Sequence, residues 1–209
     1  MLKLKVCGMR NSENITSLST IQPDFIGFIF HEQSSRNISQ TILIGTPENI
    51  NRVGVFVNKS KEFIAGKIKQ YHLDYIQLHG TESSEFCSEI KKLKVGIIKA
   101  FNISENFNFS KLSTYESSCD YLLFDAFGKQ AGGNGITFNW ELLSKYKGNT
   151  PFLLSGGIDE TMTVEIKKIR HPQFVGVDIN SRFELEPALK NIGKIKCFSK
   201  SIKMQKITP

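Results

Sequence analysis

Short apolar runs rich in β-forming residues recur along this chain every 20 to 30 residues or so, and the segments between them shift from a two-residue to a 3.6-residue rhythm. The runs predict strands at Lys3 to Val6, Phe25 to Phe30, Val53 to Val57, Tyr75 to Leu78, Gly96 to Ala100, Tyr121 to Phe124, Phe152 to Leu154 and Phe174 to Val177. Several are almost continuously apolar, the pattern of strands covered on both faces of a sheet. Between them, Ser60 is placed to cap a helix over Lys61 to Ile68, Thr81 begins another that continues through Ile90 and Leu93, Asn139 precedes Trp140 to Leu143, and Asp159 caps a run to Ile169. A second helix is expected after Ile38, closed by Pro47, and a fifth between Ile103 and Ser117, where Asn and Ser blur the pattern.

Eight strands alternating with about eight helices predict an α/β chain folded as one (β/α)8, or TIM, barrel. Right-handed crossovers then bring every strand's carboxyl end to one face. A doubly wound open sheet is the main alternative. No low-complexity linker or composition break divides the 209 residues, so residues 1–209 are expected to form a single domain with a frayed C-terminus.

Composition narrows the classes without choosing a substrate. No stretch approaches the roughly 20 apolar residues of a membrane helix, and the Lys-interrupted N-terminus lacks a signal peptide's apolar region. A cytoplasmic protein that does not engage a membrane is expected. Cys7, Cys87, Cys119 and Cys197 form no CxxC, and the four histidines are dispersed, so no disulfide framework, metal site or cofactor is signalled. The net charge is +7, and six lysines from Lys190 onward, with no acid among them, supply most of it. They read as a solvated last helix and tail, and without interleaved arginines and aromatics they do not read as a nucleic-acid surface.

The strand ends carry the chemistry. Cys7-Gly8 follows the first strand, His79-Gly80 the fourth, Asp125 the sixth, Ser155-Gly156-Gly157 the seventh and Asp178 ends the eighth. Cys7 is either a buried small hydrophobe or a base at the mouth of the barrel. Asp125, at an apolar strand end before a glycine-rich loop, suits a general acid or a cap on loop amides. Ser155-Gly156-Gly157 would let backbone amides approach a phosphate, as would the segment Asn180-Ser181-Arg182, since the loops after strands seven and eight often build such a site. Arg36 could fork onto a substrate carboxylate, and His79 could touch substrate or serve a structural hydrogen bond. Cys87 and Cys119 read as structural, as does Asp120 at the far end of its strand.

As an ordered series these strings resemble the phosphoribosylanthranilate isomerases of tryptophan biosynthesis. The matching stretches are Lys5-Val6-Cys7-Gly8, Phe25-Ile26-Gly27-Phe28 with Ser34-Ser35-Arg36, Val53 to Val57, Gln77-Leu78-His79-Gly80, Leu123-Phe124-Asp125, Gly132-Gly133-Asn134-Gly135 with Phe138-Asn139-Trp140, Ser155-Gly156-Gly157 and Gly176-Val177-Asp178. The resemblance implies an Amadori rearrangement of a small-molecule substrate, with no cofactor, by a monomer or homodimer. Asp125 would be the general acid and Cys7 the general base. Arg36 would hold the anthranilate carboxylate, His79 and Asp178 would contact substrate, and Gly156, Gly157, Asn180 and Ser181 would hold the phosphate. Where the family commonly reads Ser-Ser-Gly-Val-Glu, this chain has Asn180-Ser181-Arg182-Phe183-Glu184, so Arg182 replaces a glycine and is expected to bind phosphate through its guanidinium. Another phosphosugar isomerase or epimerase on the same barrel is the alternative; a metal-dependent epimerase would want His and carboxylate ligands that the strand ends lack.

Overall fold

A computed structural model describes residues 1–38, 49–125 and 140–203. In chain order the elements are β1 (Lys3–Val6), α1 (Ser12–Ser19), β2 (Phe25–Ile29), β3 (Asn51–Phe56), α2 (Lys61–Tyr71), β4 (Tyr75–Leu78), α3 (Ser84–Lys91), β5 (Gly96–Asn102), β6 (Tyr121–Asp125), β7 (Phe152–Ser155), α4 (Thr163–Lys168), β8 (Phe174–Ile179), β9 (Glu184–Glu186), β10 (Leu189–Lys190) and α5 (Ile192–Lys203). The first eight strands are parallel neighbours in sequence order, and β1 pairs with β8 to close the barrel. β9 and β10 form a separate antiparallel ribbon.

The alternation within each strand divides the apolar residues into two layers. Leu4, Val6, Ile26, Phe28, Ile76, Leu78 and Leu122 join the helices in one large core. Phe25, Val53, Ile98, Ala100 and Leu123, with Tyr75 and Tyr121 against them, form a second cluster inside the barrel. Phe25 meets Tyr75 and Tyr121 edge-on at 5.3 and 5.7 Å, an arrangement that aromatic quadrupoles favour. Above this apolar floor the interior turns polar with Lys5, Gln77 and Asp178, all buried. The strand ends therefore open onto a polar mouth.

Local signals set most boundaries. Asn11, Ser60 and Ser83 each accept an amide of the first helical turn, at α1, α2 and α3, and Asp159 accepts from Thr161. The α3 helix starts at Ser84 rather than at Thr81, because the Thr81 amide bonds Asn58 Oδ1 and Glu82 turns inward to Lys99. The fifth crossover is a 3-10 helix, Phe109–Tyr115, in place of an α-helix. There Ser113 Oγ and Thr114 Oγ1 bond back to the carbonyls three residues earlier, competition that tightens the turn. The expected helix between Ile38 and Pro47, the cap at Asn139 and the glycine-rich loop after Asp125 lie outside the described residues.

Candidate active site

Cys7 lies one residue past β1, 4% exposed, with its amide bonded to Ile179 O on β8. Two glycines make its seat. Gly8 has φ +76°, a conformation that side chains resist, and its amide and that of Met9 both donate to Gly27 O. A Cβ on Gly27 would stand 2.7 Å from Cys7 Sγ, so that glycine leaves the thiol its room.

Across the mouth, Gln77 Nε2 and His79 Nδ1 are 2.7 Å apart, and His79 Nε2 stands 3.4 Å from Asp125 Oδ2. If the Gln77 amide donates, Nδ1 accepts and Nε2 carries the proton that faces Asp125. Asp125 keeps a side-chain exposure of 17%, so a ligand in the mouth can reach it. Asp178 links the two sides: its charge acts on Cys7, and it feels Lys5, His79 and Asp125 in turn. Asp178 Oδ2 accepts from Lys5 Nζ at 2.9 Å, while Oδ1 is buried without a partner. Burial pushes the Asp178 carboxyl up from its ordinary value, with Lys5 pulling against it. Burial likewise pushes the Cys7 thiol up; Lys5 opposes this, Asp178 adds to it and Lys190 opposes it.

Arg36 reaches the rim beside Gly8, where an added Cβ would stand 2.8 Å from its Cδ. Its Nε and Nη2 grip Glu184 in a bidentate pair, with Nε at 2.9 and 3.1 Å from the two oxygens. The Nε–Nη2 side of the guanidinium is thereby occupied by Glu184. Glu184 also accepts from Lys190 Nζ at 2.7 Å and from the Ala188 amide at 3.0 Å. Burial alone would raise the Glu184 carboxyl, but the bonds from Arg36 and Lys190 bring it down to about 2. Lys190 Nζ bonds Asn180 Oδ1 as well, at 2.6 Å.

Gly156 and Gly157 follow β7 with φ of +93° and +67°, so the turn depends on glycine at both positions. Ser181 and Arg182 are exposed at the start of a 3-10 turn after β8, Ser181–Phe183. A cavity of about 720 Å³ opens at the opposite end of the barrel, lined by Tyr146, Lys168 and His171 among others, and no candidate site residue borders it.

Several participants were not singled out from the chain. Lys5, Gln77, Glu184 and Lys190 all enter the network, and Lys190 is fully buried rather than part of a solvated lysine run. Lys5 and Gln77 each stand two residues before a candidate, Cys7 and His79, and a period of two places them on the same face. That signal was available. Nothing local pairs Arg36 with Glu184, 148 residues apart.

The family model described as N-(5'phosphoribosyl)anthranilate (PRA) isomerase matches residues 4–201. The chain belongs to this family. A curated PRA isomerase of Parabacteroides distasonis is 44% identical over 204 residues, covering 95% of this chain and 92% of the relative. That of Phocaeicola vulgatus is 43% identical, covering 97% and 98%. The PRA isomerase structure from Thermotoga maritima superposes with a TM-score of 0.81 at 29% identity, covering 97% of this chain and 99% of that one. A PRA isomerase solved with reduced 1-(o-carboxyphenylamino)-1-deoxyribulose 5-phosphate gives a TM-score of 0.78 at 28% identity, with the same coverage.

Proposed function

We propose that the chain carries out its family's reaction in tryptophan biosynthesis, the Amadori rearrangement of N-(5-phosphoribosyl)anthranilate to 1-(2-carboxyphenylamino)-1-deoxyribulose 5-phosphate, with Asp125 as general acid and Cys7 as general base. The observation that carries this reading is the closed parallel barrel, whose one carboxyl face carries a thiol just past β1 and a carboxylate at the end of β6, with His79 3.4 Å from that carboxylate. Asp125 gives its proton to the furanose oxygen as the C1–O bond breaks, and the nitrogen lone pair closes the iminium. The iminium acidifies the C2–H bond. Cys7 thiolate takes that proton, the bonding pair becomes the C1=C2 double bond of an enolamine, and tautomerisation yields the C2 ketone.

Arg36, held by Glu184, presents its remaining edge to the anthranilate carboxylate. The amides of Gly156, Gly157, Asn180 and Ser181 receive the phosphate, assisted by the Arg182 guanidinium. His79 steadies the Asp125 carboxyl, and the unpartnered Asp178 Oδ1 is an acceptor for a sugar hydroxyl. The barrel over 1–209 acts as one domain, as a cytoplasmic monomer or homodimer on a small molecule. Among the described residues no helix is long and apolar enough to cross a membrane.

The test is loss of anthranilate-type fluorescence when phosphoribosylanthranilate made in situ meets the protein, beside Cys7→Ala and Asp125→Asn. Turnover that falls by about 10²–10⁴ in each variant is expected. Turnover that survives Cys7→Ala would move the base elsewhere, and no turnover by folded wild-type protein would overturn the assignment.

A further inference from the structure

Lys5 is an ammonium with no exposed surface inside a barrel whose lower layer is entirely aromatic or aliphatic. A methionine or leucine would fill the same space, and a buried ion pair is poor value as a source of stability. Its position has a specific geometry. Lys5 pairs in register with Asp178 on β8, bonds its Oδ2 at 2.9 Å, and shares the inward face of β1 with Cys7, two residues on. The charge of the ammonium acts on the Cys7 thiol.

We propose that Lys5 is a positioning residue for the Cys7 base, an ammonium anchored by Asp178 that aims the thiol into the mouth and stabilises its thiolate; this rests on the isomerase reading above. The other charges facing Cys7 are Lys190 from β10, Arg36 from the loop after β2, and Asp178 from β8, with Glu184 neutralising much of the first two. Lys5 is the strongest of the groups that favour the thiolate, and it outweighs the opposing influence of Asp178. Its own proton is held firmly: burial disfavours the ammonium, but Asp178 and Cys7 more than offset that.

The experiment measures Cys7 carbamidomethylation by iodoacetamide against pH, read by peptide mass spectrometry in a Cys197→Ser background, because Cys197 is an exposed thiol. The kcat/KM profile is recorded beside it. In Lys5→Met both midpoints are expected to move to higher pH, with Cys7 labelling at pH 7 slower by about tenfold or more, since each unit of pKa is a factor of ten. Lys5→Met/Asp178→Asn removes both charges and leaves no orphaned carboxylate, which keeps the test available if the single variant does not fold. Its midpoint is expected above wild type and below Lys5→Met. A midpoint at or below wild type in either folded variant would overturn the proposal. Labelling needs no substrate, so a shifted labelling midpoint in a protein without isomerase turnover would sink the isomerase reading and leave the link between Lys5 and Cys7 standing.

Discussion

Replacing Lys99 with methionine tests whether the carboxyl-terminal rim is held by a buried charge. Lys99 stands on β5, 2% exposed, and its Nζ donates to the carbonyls of Leu78, Gly80 and Ala100 at 3.1, 2.8 and 3.0 Å. Glu82, 4% exposed, faces it at 3.2 Å and accepts from the amides of Asn58 and Gly80 at 2.8 and 2.9 Å. One pair thus ties the loops after β3 and β4 to β5, and His79 sits at the centre of the tie. Lys99→Met fills the volume but strands a buried carboxylate, which costs about 3–5 kcal/mol. For a domain of this size that is a fall in Tm of about 6–20 °C, at about 2–4 °C per kcal/mol. Thermal unfolding followed by circular dichroism reads it directly. Glu82→Gln, and the double variant with Lys99→Met, complete a cycle in which the double loss should fall short of the summed single losses by about 0.5–3 kcal/mol. Single losses below about 1 kcal/mol, or a double variant additive to within about 0.5 kcal/mol, would refute the reasoning.

Three further outcomes are expected. Arg182→Ala should raise KM for phosphoribosylanthranilate by roughly three- to tenfold with kcat little changed, the modest effect of an exposed cation on a dianion; an unchanged KM would remove Arg182 from the phosphate site. Gly176→Ala would place a Cβ 2.2 Å from the Lys3 carbonyl across the β1–β8 seam, and overpacking of this kind costs about 1–3 kcal/mol, visible as a lowered urea midpoint. Glu184 titrates at about 2 in the folded chain against an ordinary 4.5, so its contribution to stability is complete above the ordinary value and lost as pH falls from there through about 2. Glu184→Gln should flatten the stability profile over that window, and an equally steep profile would contradict the assigned cause.

The folding pattern was legible because period-two and period-3.6 runs are local properties of the chain. All eight barrel strands lie where alternation and β-branched content place them, with ends shifted by at most two residues. The strand-end rule also brought Cys7, His79, Asp125 and Asp178 to one mouth, since a parallel barrel has only one carboxyl face. Boundaries such as Ser84 were harder, because Glu82 is drawn out of the helical register by a lysine on another strand. The β9–β10 ribbon is too short to show a period at all.

The sequence by itself determined the barrel, the family and the residues offered to its mouth: period, strand-end chemistry and motif order are all carried by neighbours along the chain. Only the tertiary structure decided which charges meet. It turned Lys190 from a tail lysine into a buried partner of Glu184, bound Arg36 to a carboxylate 148 residues away, and set Lys5 and Asp178 together beneath the thiol. Such pairings depend on closing β8 against β1, and on burial that makes an unpaired charge costly. Neither closure nor burial is a property of any local stretch of chain.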